Sequence, residues 1–238
     1  MVGKTKNDSF YLQSFKGCLT FAESHKNMRC IYDGANNYQD IRSQNIIVND
    51  LLKKGIDGLL ISITDSEFLA KDSLQALKEN NIPVITFDSD LLPEHQKFRL
   101  AYVGTDNFNF GKALGTYIKK FAKQDDNYLC LQSGHSSAPN LNERIAGVRY
   151  ALSEQSTERL SRKNGWFESA RCPLYSLGKR ASALNQLLFI IDREKPPIFL
   201  AVAGFAQFST DYITRMQPFK ERITNGEIVI VSADTEQT

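Results

Sequence analysis

The sequence is poor in the residues that build metal sites. Among its 238 residues there are three histidines and four cysteines, and no two cysteines have the CxxC spacing. Zinc is held by cysteine and histidine ligands at short, regular spacings, so we expect no metal. We interpret the cysteines as buried free thiols, although an even count also permits one or two disulfides in an oxidising compartment. They are Cys18, Cys30, Cys130 and Cys172.

The motifs of common enzymes are also missing. The segment GKTKNDSF near the N-terminus lacks the glycine spacing of a P-loop, and no GxGxxG follows a predicted strand. The GxSxG and HExxH motifs and a catalytic cysteine signature are absent as well. We therefore expect no cofactor and no catalysis. Two alternatives stay open: a metal cluster or acid–base pair among Asp65, Asp88 and Asp90, and an anion-binding loop at Gly134–Ser137.

Neither a strong charge nor a long apolar run marks the chain. Its 29 lysines and arginines nearly balance 27 aspartates and glutamates, which leaves a net charge of +2. No basic cluster stands out, so electrostatics give no case for nucleic-acid binding. No apolar run approaches the ~20 residues that a membrane-spanning helix needs. Met1–Lys4 is too polar to begin a signal peptide, but this observation does not decide the compartment.

The positive signal is an alternation of apolar strands and helices, clearest between Asp57 and Asn107. Apolar, β-branched runs at 57–64 and 82–87 enclose a predicted helix, and polar residues such as Asp88 follow them directly. Near-continuous apolar strands separated by helices indicate a parallel sheet covered on both faces. In such sheets ligands bind beyond the carboxyl ends of the strands, so these polar side chains lie where a ligand would bind.

The same alternation continues along the chain and includes a predicted strand at 28–33. About nine strands are too many for one small doubly wound sheet. The sequence therefore predicts an α/β protein with two doubly wound parallel-sheet lobes, residues 1–104 and 105–233. Residues 234–238 would begin a crossing back to the N-terminal lobe. The outer elements at both ends look truncated, so we expect the natural protein to be longer.

Polar and aromatic residues gather at predicted strand ends and helix starts. A carboxylate can accept hydrogen bonds from two vicinal hydroxyls, an arginine fork donates two, and an aromatic face packs against the apolar side of a sugar ring. The polar members are Asn7, Asp8, Asp88, Ser89, Arg144 and Asp234, and the aromatic members are Phe10, Tyr11, Trp166, Tyr175 and Phe205.

Each member of this set also has a simpler interpretation. Asp88 and Asp234 would then be helix caps or turn residues. Arg144, early in a predicted helix, would be a solvated surface charge. Phe10 and Phe205 would be ordinary core residues. The joint placement of the set favours a site for a polyhydroxylated small molecule.

Several segments together resemble type I periplasmic sugar-binding proteins, the ribose- and galactose-binding kind that serves ABC transporters. They cover nearly the whole chain and are NDSFY, DGLLISITDS, IPVITFDSD, RLAYVGTDNFNFGKALGTYI, NERIAGVRYAL, VIVSAD, NGWFESARCPLYS and AGFAQF. The resemblance implies two lobes joined by hinge strands, with a sugar or polyol bound in the cleft between them. It also implies a monomer in the periplasm that carries out no chemistry, with an ABC permease or a sensor kinase as partner.

The resemblance further implies roles for single residues. Asp8 and Phe10 would contact the sugar, with Asn7 beside them. Asp88 would accept from hydroxyls, and Arg144 would enter from the second lobe as the main donor. The remaining predicted ligand-binding residues are Ser89 beside Asp88, Tyr175 and Phe205 in the second lobe, and Asp234 at a hinge crossing.

Some positions depart from the family pattern. Ser89 stands where ribose binders have an arginine, which argues against ribose itself, and Gly204 stands where the family often has an asparagine. The third hinge crossing and its usual glutamine are not found, so we expect closure around a ligand to be impaired.

Three other classes remain as alternatives. Bacterial repressor effector domains share the same core, so the chain resembles the effector-binding part of a LacI-type regulator without its helix-turn-helix. A sugar-sensing domain of a signalling receptor is another possibility, and an enzyme of the same architecture is the third.

Overall fold

The computed structural model describes residues 1–123, 126–161 and 163–233. The chain divides into two compact units. Unit 1 is Met1–Thr105 together with Ser137–Pro139, and unit 2 is Asp106–Ser136 together with the chain from Asn140 onward. Each unit is built on one parallel sheet with helices, which confirms the predicted fold class. The predicted return crossing at 234–238 lies outside the described residues.

Unit 1 contains a five-stranded sheet whose paired strands are all parallel. Its strands are β1 Val2–Gly3, β2 Asp33–Gly34, β3 Leu59–Ile61, β4 Val84–Phe87 and β5 Ala101–Val103. Its helices are α1 Ser9–Glu23, α2 Ile41–Lys53, α3 Ser66–Lys71 and α4 Ser73–Glu79, with a 3-10 helix at Pro93–Phe98. The strand order is β2-β1-β3-β4-β5. The order therefore reverses beside β1, which is where ligands bind in doubly wound sheets.

Aspartate side chains cap three of the helices in unit 1. The Oδ1 atom of Asp8 accepts from the Phe10 backbone N–H at 3.0 Å at the start of α1. Asp40 caps α2 in the same way, and Asp65 caps α3 through the Phe68 N–H at 2.8 Å. A carboxylate in this position satisfies an N–H that the helix leaves unpaired. The caps therefore fix where each helix starts after its strand.

Gln44 of α2 joins the helix to two strands. Its side chain is fully buried, and Nε2 donates to the carbonyls of Gly3 and Ser62 at 3.2 and 2.7 Å. Its Oε1 accepts from the Thr64 backbone N–H at 3.0 Å. The amide thus satisfies three backbone groups at the carboxyl ends of β1 and β3. The surrounding apolar core is formed by Val2, Val48, Leu51, Leu59, Ile61, Ile63, Leu69, Leu74, Leu77, Val84 and Leu91.

The predicted strand at 28–33 is wrong in extent. Only Asp33 and Gly34 form β2, because β1 offers pairing partners opposite these two residues and no others. The preceding stretch is held differently: Cys30 is bonded to Cys18 of α1, and the N-terminal amine donates to the Ile31 carbonyl. The apolar residues before Asp33 therefore pack against the unit without pairing as a strand.

Unit 2 repeats the same winding. Its strands are β6 Asn127–Ser133, β7 Trp166–Glu168, β8 Leu174–Tyr175, β9 Ile198–Ala201 and β10 Ile230–Ser232. Its helices are α5 Asn107–Ile118, α6 Pro139–Leu152, α7 Arg180–Ile191, α8 Tyr212–Met216 and α9 Lys220–Thr224. The order is β10-β9-β6-β7, and β8 pairs with the carboxyl half of β6. β6 thus has the position in this sheet that β1 has in the other.

The first half of β6 pairs with β7 and its second half with β8. The sequence pattern predicts neither of these two short strands. Three residues and two residues are too few to show an alternating pattern, so periodicity could not identify them.

Both pairs of cysteines are bonded, and the interpretation of four free thiols is wrong. Cys18 is joined to Cys30, and Cys130 of β6 is joined to Cys172. Cys130 and Cys172 are buried in the core of unit 2 with α7 and β9, so this bond lies within packed apolar side chains. The fold brings each pair together, and the spacing in the sequence does not reveal it.

We expect the two disulfides to differ in their contribution to stability. A cross-link removes conformational entropy from the unfolded chain, and the effect grows with the length of the closed loop. The loops span 12 and 42 residues. Replacing Cys18 and Cys30 by alanine should therefore lower the free energy of unfolding by about 3 kcal/mol, and replacing Cys130 and Cys172 by about 4 kcal/mol.

Urea unfolding of the two double variants under non-reducing conditions measures this difference. The burial of Cys130 and Cys172 adds a packing loss that Cys18 and Cys30, which are only half-buried, do not have. An equal or larger loss in the Cys18/Cys30 variant would contradict the argument.

Candidate ligand-binding residues

In unit 1, three side chains meet at the carboxyl edge of the sheet. The Tyr11 hydroxyl donates to Oδ2 of Asp88 at 2.9 Å, and the Ser62 hydroxyl donates to the same oxygen at 2.7 Å. The Tyr11 and Ser62 hydroxyls lie 3.2 Å apart. These residues come from α1, from the end of β3 and from the end of β4, so the cluster joins three separate elements of the unit.

The backbone of Asp88 is held as firmly as its side chain. Asp88 has a φ of 59°, a left-handed conformation that aspartate tolerates better than most residues. Its N–H donates to the Val103 carbonyl at 3.1 Å, and its own carbonyl accepts from the Tyr102 hydroxyl at 3.0 Å. Asp88 is therefore a turn residue whose carboxylate is aimed into the edge of the sheet, and it caps no described helix.

The Tyr11 hydroxyl is protonated at neutral pH. Burial, followed by the negative charge of Asp88, raises the pKa of Tyr11 well above its usual range. A neutral phenol can donate a hydrogen bond, whereas a phenolate cannot. Tyr11 therefore acts as a permanent donor toward Asp88.

The other predicted residues of unit 1 surround this cluster with differing exposure. The Phe10 ring is 54% exposed and meets the Tyr11 ring edge-on at a centroid distance of 5.3 Å, so Phe10 is not an ordinary core residue. Asp8 serves as the cap of α1, and Asn7 is exposed. Ser89 is buried, and its carbonyl accepts from the Ile63 N–H at 3.1 Å.

Tyr32 holds the loop that carries Asn7 and Asp8. Its hydroxyl donates to the carbonyls of Thr5 and Lys6, both at 3.0 Å. Burial and the negative charges of Asp8 and Asp33 raise the pKa of Tyr32 to about 12, so it too stays a donor. The loop after β1 is thus fixed to the chain that leads into β2.

In unit 2, Arg144 of α6 is buried rather than solvated, with 7% of its surface exposed. Its Nε donates to Oδ1 of Asn107 at 2.9 Å, and one terminal nitrogen donates to the Val202 carbonyl at 2.8 Å, directly after β9. The guanidinium lies 4.7 Å from the centre of the Phe110 ring. These contacts hold a cation at the carboxyl edge of the sheet and contradict the interpretation of a surface charge.

Glycines allow the helix that carries Arg144 to pack closely on α5. A side chain on Gly111 of α5 would overlap the backbone carbonyl of Arg144. A side chain on Gly147 of α6 would overlap the Phe108 carbonyl in turn. The two helices therefore touch backbone to backbone, and this close approach sets the position of Arg144.

The aromatic residues of unit 2 divide between the two edges of its sheet. Tyr175, 39% exposed, ends β8, and Phe205 follows β9 and packs partly against the core of α7, so part of the core interpretation holds for it. Trp166 pairs with Asn127, the first residue of β6, and so lies at the amino end of the sheet. The grouping of Trp166 with the strand-end aromatics is wrong, because β7 begins there. Asp234 lies outside the described residues.

The alternative of a metal cluster or acid–base pair is not supported by the geometry. Asp65 caps α3, Asp88 accepts from Tyr11 and Ser62, and Asp90 forms a two-pronged pair with Arg99 at 2.6 Å for both bonds. Among the described ranges, no three histidine, cysteine or acidic side chains form a group that could hold a metal ion. Within the same ranges, no helix is long and apolar enough to cross a membrane.

Some buried polar residues of the two units cannot be recognised as such from the sequence pattern. Ser62 is a single hydroxyl within the apolar run DGLLISIT, and its polarity there is the signal that could have singled it out. Tyr11 belongs to the predicted aromatic set, but the sequence gives no sign that its hydroxyl group has a role. Gln44 and Asn107 look like ordinary polar helix residues, and only the fold shows that both are buried.

Comparison with known proteins now defines the class. A family model described as periplasmic binding protein domain matches residues 1–236. The chain therefore belongs to the periplasmic binding protein family. The resemblance to type I periplasmic sugar-binding proteins is confirmed.

A curated relative is the D-ribose/D-allose-binding protein of Pseudomonas aeruginosa, 26% identical over 172 residues. The match covers 71% of this chain and 53% of the relative, so the chain spans about half of the length of that protein.

Solved structures share the fold. An ABC transporter solute-binding protein from Agrobacterium vitis with bound D-fucose has a TM-score of 0.81 at 21% identity, covering 99% of this chain and 76% of that one. A solute-binding protein from Clostridium phytofermentas with bound L-rhamnose has a TM-score of 0.73 at 15% identity, covering 96% and 66%.

We predict opposite effects for two glycine-to-alanine substitutions. Gly111→Ala should lower the free energy of unfolding by about 1–3 kcal/mol, because its methyl group overlaps the Arg144 backbone and forces α5 and α6 apart. Gly17→Ala in α1 should raise it by about 0.5–1 kcal/mol, because a methyl group there meets nothing within 4 Å and alanine favours the helix.

Thermal and urea unfolding of both variants check the signs. Both substitutions add the same methyl group inside a helix, so Gly17→Ala is the matched control. Equal effects of the two substitutions would show that the packing of α5 on α6 is not close.

Proposed function

We propose that this chain binds a small sugar or polyol without chemistry and delivers it to an ABC transporter. The observation that carries the proposal is the match of the periplasmic binding protein family model to residues 1–236. The curated relative is named for binding D-ribose and D-allose, and solved structures of the same fold hold D-fucose and L-rhamnose. The residues fixed at the carboxyl edges of the two sheets have the chemistry that such ligands require.

The chemistry of those residues suits hydroxyl groups. Asp88 supplies carboxylate oxygens that accept from hydroxyls, and Arg144 supplies donors in a planar fork. The exposed ring of Phe10 offers an apolar face for the C–H side of a sugar ring. We propose the full set of ligand contacts as Asn7, Asp8, Phe10, Asp88, Ser89, Arg144, Tyr175, Phe205 and Asp234.

We propose that the ligand works by closing a hinge. The lobes would be residues 1–104 and 105–233, with 234–238 starting a return crossing, and the sugar would bind in the cleft between them. A ligand that touches both lobes favours the closed state over the open one by its difference in affinity for the two. A membrane permease or a sensor kinase would then recognise the closed form of a monomer.

The disulfides support a periplasmic location. All four cysteines are bonded in pairs. Disulfides persist in oxidising compartments and are rare in the cytosol, where thiols are kept reduced. This favours a transport or extracytoplasmic sensing role over the effector core of a LacI-type regulator, which acts on DNA inside the cell.

A thermal-shift panel with an Asp88 variant tests the proposal. Wild-type protein is scanned with pentoses, hexoses, deoxy sugars, inositols and small polyols, among them D-ribose, D-allose, D-fucose, L-rhamnose and D-tagatose. A sugar present at 100 times its dissociation constant adds about 2.7 kcal/mol to stability, which gives a clear rise in melting temperature. Asp88→Asn should weaken binding of that sugar by about 10- to 100-fold, because hydrogen bonds to a charged group contribute about 1.5–3 kcal/mol.

Two further variants make the result specific. Asp50→Asn removes the same charge from an exposed position in α2 and should leave sugar affinity unchanged. Arg144→Lys keeps the charge but loses the fork, so it should weaken binding while the ligand-free protein stays folded. If no sugar or polyol of the panel shifts the wild type, or if Asp88→Asn binds as tightly as Asp50→Asn, the proposal is wrong.

A further inference from the structure

Tyr11 occupies a fixed position between α1 and the sheet of unit 1. It is the buried residue of α1, and its ring lies against the backbone of β1, where a side chain on Gly3 would come within 2.7 Å of the ring. The rings of Phe10 and Phe87 meet it edge-on at 5.3 and 6.0 Å. These contacts hold the ring and so fix the position of its hydroxyl group.

That position is beside Asp88. The hydroxyls of Tyr11 and Ser62 both donate to Oδ2 of Asp88, at 2.9 and 2.7 Å. Two donors from different elements on one oxygen restrict rotation of the carboxylate, and so they set the direction of Oδ1 as well. The bond from Ser62 has the length typical of a charge-assisted hydrogen bond, and the bond from Tyr11 is longer.

The backbone of Asp88 alone does not provide this orientation. The bonds to Val103 and from Tyr102 fix its main chain, while Tyr11 and Ser62 hold its side chain. Ser62 follows β3 directly and is fully buried, and Tyr11 adds a second donor from α1. A carboxylate that is oriented before the ligand arrives loses less freedom on binding.

We infer that Tyr11 is a positioning residue that holds the Asp88 carboxylate in the orientation in which it accepts a ligand hydroxyl. This inference rests on the proposed function. Tyr11 acts through Asp88, and its hydroxyl group, rather than its ring, provides the effect. A phenylalanine at this position keeps the packing against Gly3 and removes only the hydroxyl, with its bond to Asp88 and its contact with Ser62.

A double-mutant cycle measures the effect by isothermal titration calorimetry. The probes are the compounds of the thermal-shift panel, among them D-ribose, D-allose, D-fucose, L-rhamnose and D-tagatose, and those that bind the wild type are used. Tyr11→Phe should weaken binding about tenfold in the wild-type background. In the Asp88→Asn background it should weaken binding about threefold or less, because a neutral acceptor forms a hydrogen bond of about half the strength.

Tyr38→Phe is the matched control. The Tyr38 hydroxyl also donates to a carboxylate of unit 1, that of Asp40 at 3.3 Å, which caps α2. This variant loses the same atom and the same kind of bond, and it should bind each probe as the wild type does. Melting temperatures of the ligand-free variants show that all of them are folded.

The outcomes separate the inference from the proposed function. A loss on Tyr11→Phe that shrinks in the Asp88→Asn background supports the positioning role. An equal loss in both backgrounds, or no loss, overturns it while sugar binding by the wild type stands. If no probe binds the wild type, the proposed sugar-binding function is wrong, and the inference that rests on it is wrong as well.

Discussion

Strands in the middle of a parallel sheet that is covered on both faces have almost no room for polar side chains, and the rest of this structure depends on that constraint. Burying a polar group without a partner is costly, so polar residues gather where the strands end. In unit 1 the apolar residues of β3 and β4 give way to Ser62 and Asp88 at the carboxyl edge. The reversal of strand order beside β1 and beside β6 concentrates these ends at one place in each sheet.

The two units fix their key charges by different physical means. In unit 1, hydroxyl groups from two elements donate to one oxygen of Asp88, so two side-chain hydrogen bonds hold the carboxylate in place. In unit 2, the backbone contact of α5 with α6 through Gly111 sets the position of Arg144, and neutral oxygens of Asn107 and Val202 receive its bonds. A change of one hydroxyl therefore affects the first charge, whereas a change of helix packing affects the second.

The sequence predicts features that depend on local pattern and misses those that depend on distant partners. Asp88 could be found because a polar residue directly after an apolar run marks a strand end. The burial of Arg144 could not, since Asn107 and Val202 are 37 and 58 residues away. The same holds for the Cys130–Cys172 bond, and for β2, whose length is set by its partner β1. The prediction for Trp166 is wrong because β7 has only three residues, too few to show whether Trp166 begins or ends a strand.

At Ser89 the backbone and the side chain have separate surroundings. Its backbone is part of the framework: the carbonyl accepts from Ile63 beyond β3, and the N–H donates to the Phe87 carbonyl at 2.6 Å. Its side chain is buried, and the next residue, Asp90, already engages the guanidinium of Arg99 in a two-pronged pair. The guanidinium of Arg99 therefore holds this loop in place. In the ribose binders that the chain resembles, an arginine stands at the position of Ser89 itself. Since the main chain of Ser89 is held by its own hydrogen bonds, a change of this buried side chain leaves the backbone bonds of the turn after β4 in place, and the bonds that orient Asp88 come from Tyr11 and Ser62 instead.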